Sequence, residues 1–173
     1  MQLNRRSRTT SQLLAIPGGD AGTIATLKIM RRLVRDAKKT LPVRQTALSI
    51  VQNIPPKNWH REVAEIWAFV NQRIRYVRDI NGIETLQTPE KTMEFGQGDC
   101  DDQSVLIASL LESIGHPTRF IAIGFGPANY QHVFAETKIG NKWIPVETTE
   151  DWPLGYIPEN VRHRIARRKV VYN

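Results

Sequence analysis

A cysteine, a histidine and a glutamate follow one another along this sequence in an order that can support nucleophilic chemistry. Cys100 opens an apolar-periodic segment, His132 lies in a β-rich segment, and Glu147 ends the next β-rich segment. In such a set the thiol attacks a carbonyl carbon, the imidazole takes and returns a proton, and the carboxylate orients the imidazole ring. The order predicts a Cys-His-acid triad if a helix and a sheet pack face to face.

Each of these residues also has a structural explanation. A cysteine without a disulfide is often buried and only packs, and a histidine at the start of a strand can be a hydrogen-bonded part of the core. Asp151 is the alternative acid if Glu147 points away from His132. The other three histidines lie at a helix start, in a turn and in a basic segment, and are poorer candidates: His60, His116 and His163.

The cysteine lies where a glycine-bearing loop turns into a helix, in the run Gly98-Asp99-Cys100-Asp101-Asp102. Asp99 is a suitable N-cap for this helix, and Gly115 is a suitable residue to end it. The unpaired N–H groups at a helix start lower a thiol pKa, whereas three neighbouring carboxylates raise it. A nearby imidazolium would therefore have to help the thiolate to form.

Hydrophobic periodicity predicts the elements that must position these residues. Helical spacing covers residues 23–39, 43–53 and 59–75, and a short helical turn is predicted at 88–91. After the cysteine helix the pattern changes to strands over residues 118–125, 131–138 and 142–147. The turn Gly140-Asn141 joins the last two strands into a hairpin, Asn81-Gly82 predicts another turn, and Pro145 indicates an edge strand or a bulge.

Length and composition indicate one globular domain. The chain has 173 residues, of which 40% are hydrophobic and 24% charged. One cysteine excludes an intrachain disulfide and a metal site built from several cysteines. No apolar run reaches transmembrane length, and the basic start leads into no convincing signal segment, so we expect neither a membrane span nor export by a standard signal.

The net charge of +7 is unevenly distributed. Residues 1–50 carry ten Lys and Arg against two acids, residues 161–173 carry five against none, and the middle carries nine against fifteen. We therefore divide the chain into a basic arm (1–20), a domain (21–155) and a basic tail (156–173). Basic ends suit nucleic acid, an acidic protein surface or a membrane surface, and they also simply aid solubility.

Three blocks of the sequence resemble the transglutaminase-like superfamily, whose papain-like fold includes bacterial and phage cysteine peptidases. They are the cysteine run with its helix, the histidine in Gln131-His132-Val133-Phe134, and the run Trp143-Ile144-Pro145-Val146-Glu147. The aromatic-rich helix that ends near Val77 also matches the region before the cysteine in that group. The likeness covers roughly residues 59–149. Residues 22–51 further resemble small proteins of this type found among phage and prophage structural genes.

The resemblance implies an α+β fold in which the cysteine helix packs on a small antiparallel sheet beside N-terminal helices. It implies a peptide or protein amide substrate and a thioester at Cys100, resolved by water or by an amine. A phage virion or the bacterial cytoplasm is the expected location, with other phage structural proteins as partners. A weakly active or inactive assembly component that docks through its basic ends is the alternative function, and nucleic-acid binding is a third.

Two positions depart from the family pattern. The third catalytic position is usually aspartate in the family, and Glu147 stands there in this chain. The oxyanion glutamine that often lies six residues before the cysteine is replaced by Glu94, so Gln97 and Gln87 are candidate substitutes beside the Cys100 N–H group.

No cofactor is expected, with calcium as the one alternative. Some relatives bind calcium near the cysteine, and the candidate ligands here are Asp99, Asp101 and Asp102. Their spacing is not that of an EF-hand loop, and helix capping explains these aspartates without a metal.

Overall fold

A computed structural model describes residues 18–79 and 85–173. The helices are α1 (Gly19–Ala37), α2 (Leu41–Val51), α3 (Trp59–Arg73), α4 (Pro89–Phe95), α5 (Cys100–Ser113) and α6 (Glu159–Arg164). The strands are β1 (Arg75–Tyr76), β2 (Gln97–Gly98), β3 (Thr118–Gly124), β4 (His132–Ile139), β5 (Lys142–Pro145) and β6 (Arg167–Tyr172). Among the described residues, no helix combines the length and the apolar character needed to cross a bilayer.

Helix α5 lies at the centre of the fold. Its residues from Asp101 to Leu111 are all buried, and it contacts α1, α2, α3 and α4 as well as β3 and β4. Its sequence is apolar on most sides after the first turn, which is the pattern of a helix that packs against neighbours all round. The first turn of α5, which carries Cys100, is therefore held by the surrounding elements.

The sheet supplies the second layer. Its strand order is β5-β4-β3-β6, and every neighbouring pair is antiparallel. One face packs on α5, while Ile121, Ile123 and Phe134 on the other face pack against Ile157 and neighbours from the segment that includes α6. Strands β3 and β4 are buried on both faces, so they hold a fixed position relative to α5.

Most predicted elements are confirmed, as is the α+β fold class with its small antiparallel sheet. The three predicted N-terminal helices are present with ends shifted by up to four residues, and the short turn at 88–91 extends into α4. The β4–β5 hairpin is present, and Pro145 ends the edge strand β5. The predicted turn at Asn81-Gly82 lies outside the described residues.

The C-terminal segment differs from an extended tail. Within residues 156–173, α6 and β6 are ordered elements, and β6 pairs with β3 along residues 167–172. The basic side chains of this segment predict a solvated tail. They are compatible with β6 because an edge strand exposes alternate side chains and tolerates charge. Of the predicted arm at residues 1–20, residues 1–17 lie outside the described residues. The proposed domain boundaries remain a prediction.

Gly124, at the end of β3, permits a close approach of the chain before His132. A Cβ atom there would lie 2.3 Å from the carbonyl oxygen of Asn129, whereas one at Gly126 would meet nothing within 4 Å. Gly124→Ala should lower the free energy of unfolding by about 1–3 kcal/mol, because the backbone must shift. Gly126→Ala is the matched control and should stay within about 0.5 kcal/mol of wild type in urea unfolding. Equal stability of the two variants would contradict the prediction.

Candidate active site

A cavity of about 470 Å³ brings the predicted nucleophile and base together. Cys100 and Asp101 at the start of α5 line it together with His132 and Val133 at the start of β4. The start of α1 contributes a further section of the wall. Cys100 and His132, 32 positions apart in the sequence, therefore line the same cavity.

Glu147 binds the ring of His132. The distance from His132 Nε2 to Glu147 Oε2 is 2.6 Å, and the glutamate is 3% exposed. Its other oxygen, Oε1, accepts hydrogen bonds from the Thr149 N–H group at 2.7 Å and the Thr149 hydroxyl at 2.8 Å. These contacts fix the carboxylate and leave Nδ1 as the ring nitrogen available for exchanging a proton with another group.

Helix α3 holds the backbone around Glu147. Trp67 donates its indole N–H to the Glu147 carbonyl oxygen, and Asn71, one turn later, donates to the Thr148 carbonyl oxygen at 3.2 Å. Neither of these roles is expected from the sequence. The four-residue spacing of Trp67 and Asn71 places both on one helix face, but it does not indicate which backbone they bind.

The start of α5 is capped by its own aspartates. Asp99 Oδ1 accepts from the N–H groups of Asp101 and Asp102 at 2.9 and 3.0 Å, and the Asp102 carboxylate reaches back to the Asp99 N–H. Asp102 also accepts from the Gln87 N–H at 2.7 Å. This arrangement confirms Asp99 as the N-cap and forms a reciprocal capping box.

Capping leaves the N–H group of Cys100 available. The Asp101 and Asp102 N–H groups are bound to Asp99, and the described residues provide no hydrogen-bond partner for the Cys100 N–H. One turn later the Ser104 hydroxyl donates to the Val133 carbonyl oxygen at 3.3 Å. This bond ties α5 to β4 directly beside His132 and fixes the position of Cys100 relative to His132.

Burial and neighbouring carboxylates keep the Cys100 thiol protonated. Burial raises its pKa most, and the charges of Asp101 and Asp99 raise it further. The thiol donates to Asp101 Oδ1 at a distance of 3.5 Å. The sequence predicts that the helix start lowers the thiol pKa and that the aspartates raise it. In the structure burial and the aspartates outweigh the helix start, so the pKa is raised.

His132 and Glu147 shift each other's pKa in opposite directions. Burial lowers the pKa of His132, but the hydrogen bond and charge of Glu147 outweigh burial and raise it above its usual value. Burial raises the pKa of Glu147, but His132 and the Thr149 donors outweigh that and lower it. The pair is therefore an ion pair over part of the acidic to neutral range.

The other candidate residues lie away from this arrangement. The side-chain oxygen of Gln97 accepts from an Arg75 guanidinium N–H at 2.8 Å, and the Gln87 side-chain oxygen is buried without a partner among the described residues. Neither glutamine is among the described residues that line the cavity. Asp151 is exposed, and Glu94 pairs with Lys91 at 2.7 Å.

The carboxylates of the three aspartates near Cys100 form hydrogen bonds within the start of α5. Asp99 and Asp102 use carboxylate oxygens as caps, and Asp101 accepts from the thiol. In the described part of the chain, no three His, Cys, Asp or Glu side chains are grouped so that they could hold a metal ion.

Comparison with known proteins identifies the class of protein. The profile of the transglutaminase-like superfamily matches residues 44–148, which include Cys100, His132 and Glu147. The chain belongs to the transglutaminase-like superfamily. A search of curated protein sequences gave no significant match.

Solved structures share the fold at low sequence identity. A protein assigned as a protease from Parabacteroides distasonis has a TM-score of 0.60 and 13% identity, over 75% of this chain and 26% of that one. A protein assigned as a cysteine protease from Cytophaga hutchinsonii has a TM-score of 0.52 and 18% identity, over 76% and 46%. EGTA-treated LapG of Legionella pneumophila has a TM-score of 0.51 and 14% identity, over 79% and 77%. This chain thus spans about a quarter of the length of the first protein and under half of the length of the second.

The charge of Asp99 can be removed without removing the cap. Burial raises the pKa of Asp99 to about 7. Asp99→Asn keeps the Oδ1 acceptor but removes the charge, so we expect the Cys100 pKa to fall. The folded wild type retains this proton up to about pH 7 and the unfolded chain only to about pH 3.9, so the carboxyl costs stability as pH rises between them. The stability of Asp99→Asn relative to wild type should therefore increase across that range.

The measurements are the rate of Cys100 alkylation against pH and urea unfolding at pH 4, 5.5 and 7.5. Asp99→Ala is the control, because it removes both the charge and the cap and should cost about 1 kcal/mol. An unchanged alkylation profile in Asp99→Asn would show that the Asp99 charge does not act on the thiol.

Proposed function

We propose that this protein is a thiol-dependent peptidase or amidase that uses Cys100, His132 and Glu147 as nucleophile, base and orienting acid. The observation that supports this most directly is the 2.6 Å bond between the buried Glu147 and His132, a residue that lines the same cavity as Cys100. Membership of the transglutaminase-like superfamily and structural likeness to proteins assigned as proteases support it in general terms.

In the acylation step the Cys100 sulfur attacks the substrate carbonyl carbon while its proton moves to His132 Nδ1. Glu147 stabilises the imidazolium that forms, because it is already bound to Nε2. The Cys100 N–H, left available by the capping aspartates, donates to the oxygen that becomes negative. When the tetrahedral intermediate collapses, His132 gives its proton to the leaving amine, and a thioester remains on Cys100.

In the second step a water molecule or a primary amine attacks the thioester carbonyl. His132 takes the proton of the attacking group and returns it to the Cys100 sulfur as the thioester bond breaks. Water yields a carboxylic acid and completes hydrolysis, whereas an amine yields a new amide and completes transamidation. Both routes restore the thiol.

The direct test is hydrolysis of a fluorogenic peptide library by the purified chain, with a labelled primary amine included to detect transamidation. Cys100→Ala and His132→Ala should abolish turnover, while His163→Ala is a matched control because His163 is exposed. Iodoacetamide should label wild-type Cys100, and the label should be located by mass spectrometry. A thiol that neither reacts nor turns over substrate would favour the alternative of a non-catalytic assembly component, including one in a phage particle.

Replacement of Glu147 tests its orienting role. In Glu147→Gln the side-chain oxygen can still accept from Thr149, but the new NH₂ group faces His132 Nε2, which must then act as an acceptor. The ring proton moves to Nδ1, so the ring cannot take the thiol proton, and we expect kcat to fall by roughly 10³–10⁴-fold. Glu147→Asp keeps the charge and should retain part of the activity.

The pH profile gives an independent readout for Glu147. Without its carboxylate the pKa of His132 falls, so the acidic limb of any residual activity should move to lower pH. A variant that loses mainly stability, with kcat and the pH profile unchanged, would assign Glu147 a structural role.

A further inference from the structure

Two sections of the cavity wall come from distant parts of the chain. The start of α1 contributes small residues, including Gly19, Gly22 and Thr23, and the loop at residues 125–131 contributes Tyr130 and Gln131 next to His132. A substrate that reaches Cys100 must fit between these sections and the helix start. Their spacing therefore affects the size of the group that can enter.

Arg167, the first residue of β6, contacts both sections. Its guanidinium binds both carboxylate oxygens of Asp20 in the first turn of α1, with a distance of 2.8 Å from Nη1 to Oδ1. The same group donates to the carbonyl oxygens of Pro127 and Ala128 at 3.3 and 3.2 Å, and it lies 4.6 Å from the centre of the Tyr130 ring.

This set of contacts requires arginine. A guanidinium is planar and has five N–H donors, so it can bind a carboxylate with two parallel bonds, donate to carbonyls and lie over an aromatic face at the same time. A lysine ammonium is a single point of charge and cannot make these contacts together. Arg167 does not itself line the cavity in the described part of the chain, so it acts through the residues that do.

We propose that Arg167 is a positioning residue that fixes the start of α1 against the loop at 125–131 and so sets the size of the group admitted to Cys100. The inference rests on the proposed function in taking Cys100 as the reacting group. It assigns the C-terminal strand a role in substrate selection, although this strand contributes no residue to the triad.

The test compares Arg167→Gln with Arg168→Gln. Both variants lose one positive charge from β6, but Arg168 binds Glu136 at 3.2 Å, and Glu136 keeps its second partner, Arg119. The rate of Cys100 alkylation is measured with a small reagent, iodoacetamide, and with a bulky one, fluorescein maleimide. In Arg167→Gln the ratio of the bulky to the small rate should rise by about fivefold, and in Arg168→Gln it should not change.

A second variant separates positioning from a general loss of stability. Asp20→Asn removes the negative charge and one of the two acceptor oxygens that Arg167 binds on α1, so it weakens this link. Because the contacts of Arg167 with the loop are left, the ratio should change in the same direction and by less. The double variant Asp20→Asn/Arg167→Gln should give the same ratio as Arg167→Gln alone, because the bond to residue 20 is already lost when Arg167 is replaced. Additive effects, or an unchanged ratio in a folded Arg167→Gln, would overturn the proposal.

Amide hydrogen exchange gives a readout that does not depend on the thiol. Exchange in residues 19–27 should become faster in Arg167→Gln and in Asp20→Asn, and exchange in residues 125–131 should become faster in Arg167→Gln. Neither segment should change in Arg168→Gln. If Arg167→Gln does not fold, Asp20→Asn alone must show faster exchange in residues 19–27, or the proposal fails.

The outcomes also separate this inference from the proposed function. Faster exchange and a changed alkylation ratio in a chain that turns over no peptide would support the role of Arg167 and reject the peptidase. Normal turnover with an unchanged ratio and unchanged exchange would support the peptidase and reject the role of Arg167.

Discussion

The buried start of α5 is the constraint on which the candidate site depends. A helix that begins inside a protein brings several unpaired N–H groups out of water, and each needs a partner. Asp99 accepts from the N–H groups of Asp101 and Asp102, while the Asp102 carboxylate reaches back to the Asp99 N–H, and the Cys100 N–H stays available. The charge of Asp99, together with that of Asp101, also raises the pKa of the thiol. Asp99 therefore affects both the stability of the helix start and the reactivity of the cysteine.

Hydrogen bonds to backbone atoms hold the chain segments that carry Glu147 and His132. Trp67 and Asn71 fix the chain around Glu147 from α3, and Ser104 fixes the start of β4 from α5. These bonds join three elements of the fold to one another around the cavity. A site built on helices and strands in this way keeps its geometry better than one built on loops, because packing fixes each element.

The parts of the fold that the sequence predicts well are those with local signals. Helix α5 is found nearly to the residue, because Asp99 caps it and Gly115 follows its end, and the β4–β5 hairpin is found from Gly140-Asn141. The pair β1–β2 is not found, because two-residue strands form only where Tyr76 and Gly98 meet in space. Strand β6 is missed because its arginines indicate solvent, while their partners Asp20 and Glu136 are far away in the sequence. The hydrogen bond of Trp67 is to a backbone carbonyl oxygen, and every residue has one, so the sequence does not indicate this partner.

The bond between Asp20 and Arg167 joins residues that are 147 positions apart. Closing so long a loop costs conformational entropy before any contact compensates for it, and contacts of this kind form late in folding. Helices α1 to α5 can associate through contacts that are nearer in sequence, whereas Arg167 can bind Asp20 and the loop at 125–131 together only once the C-terminal segment has reached them. We therefore expect the cysteine helix to assemble before the contacts of Arg167 form.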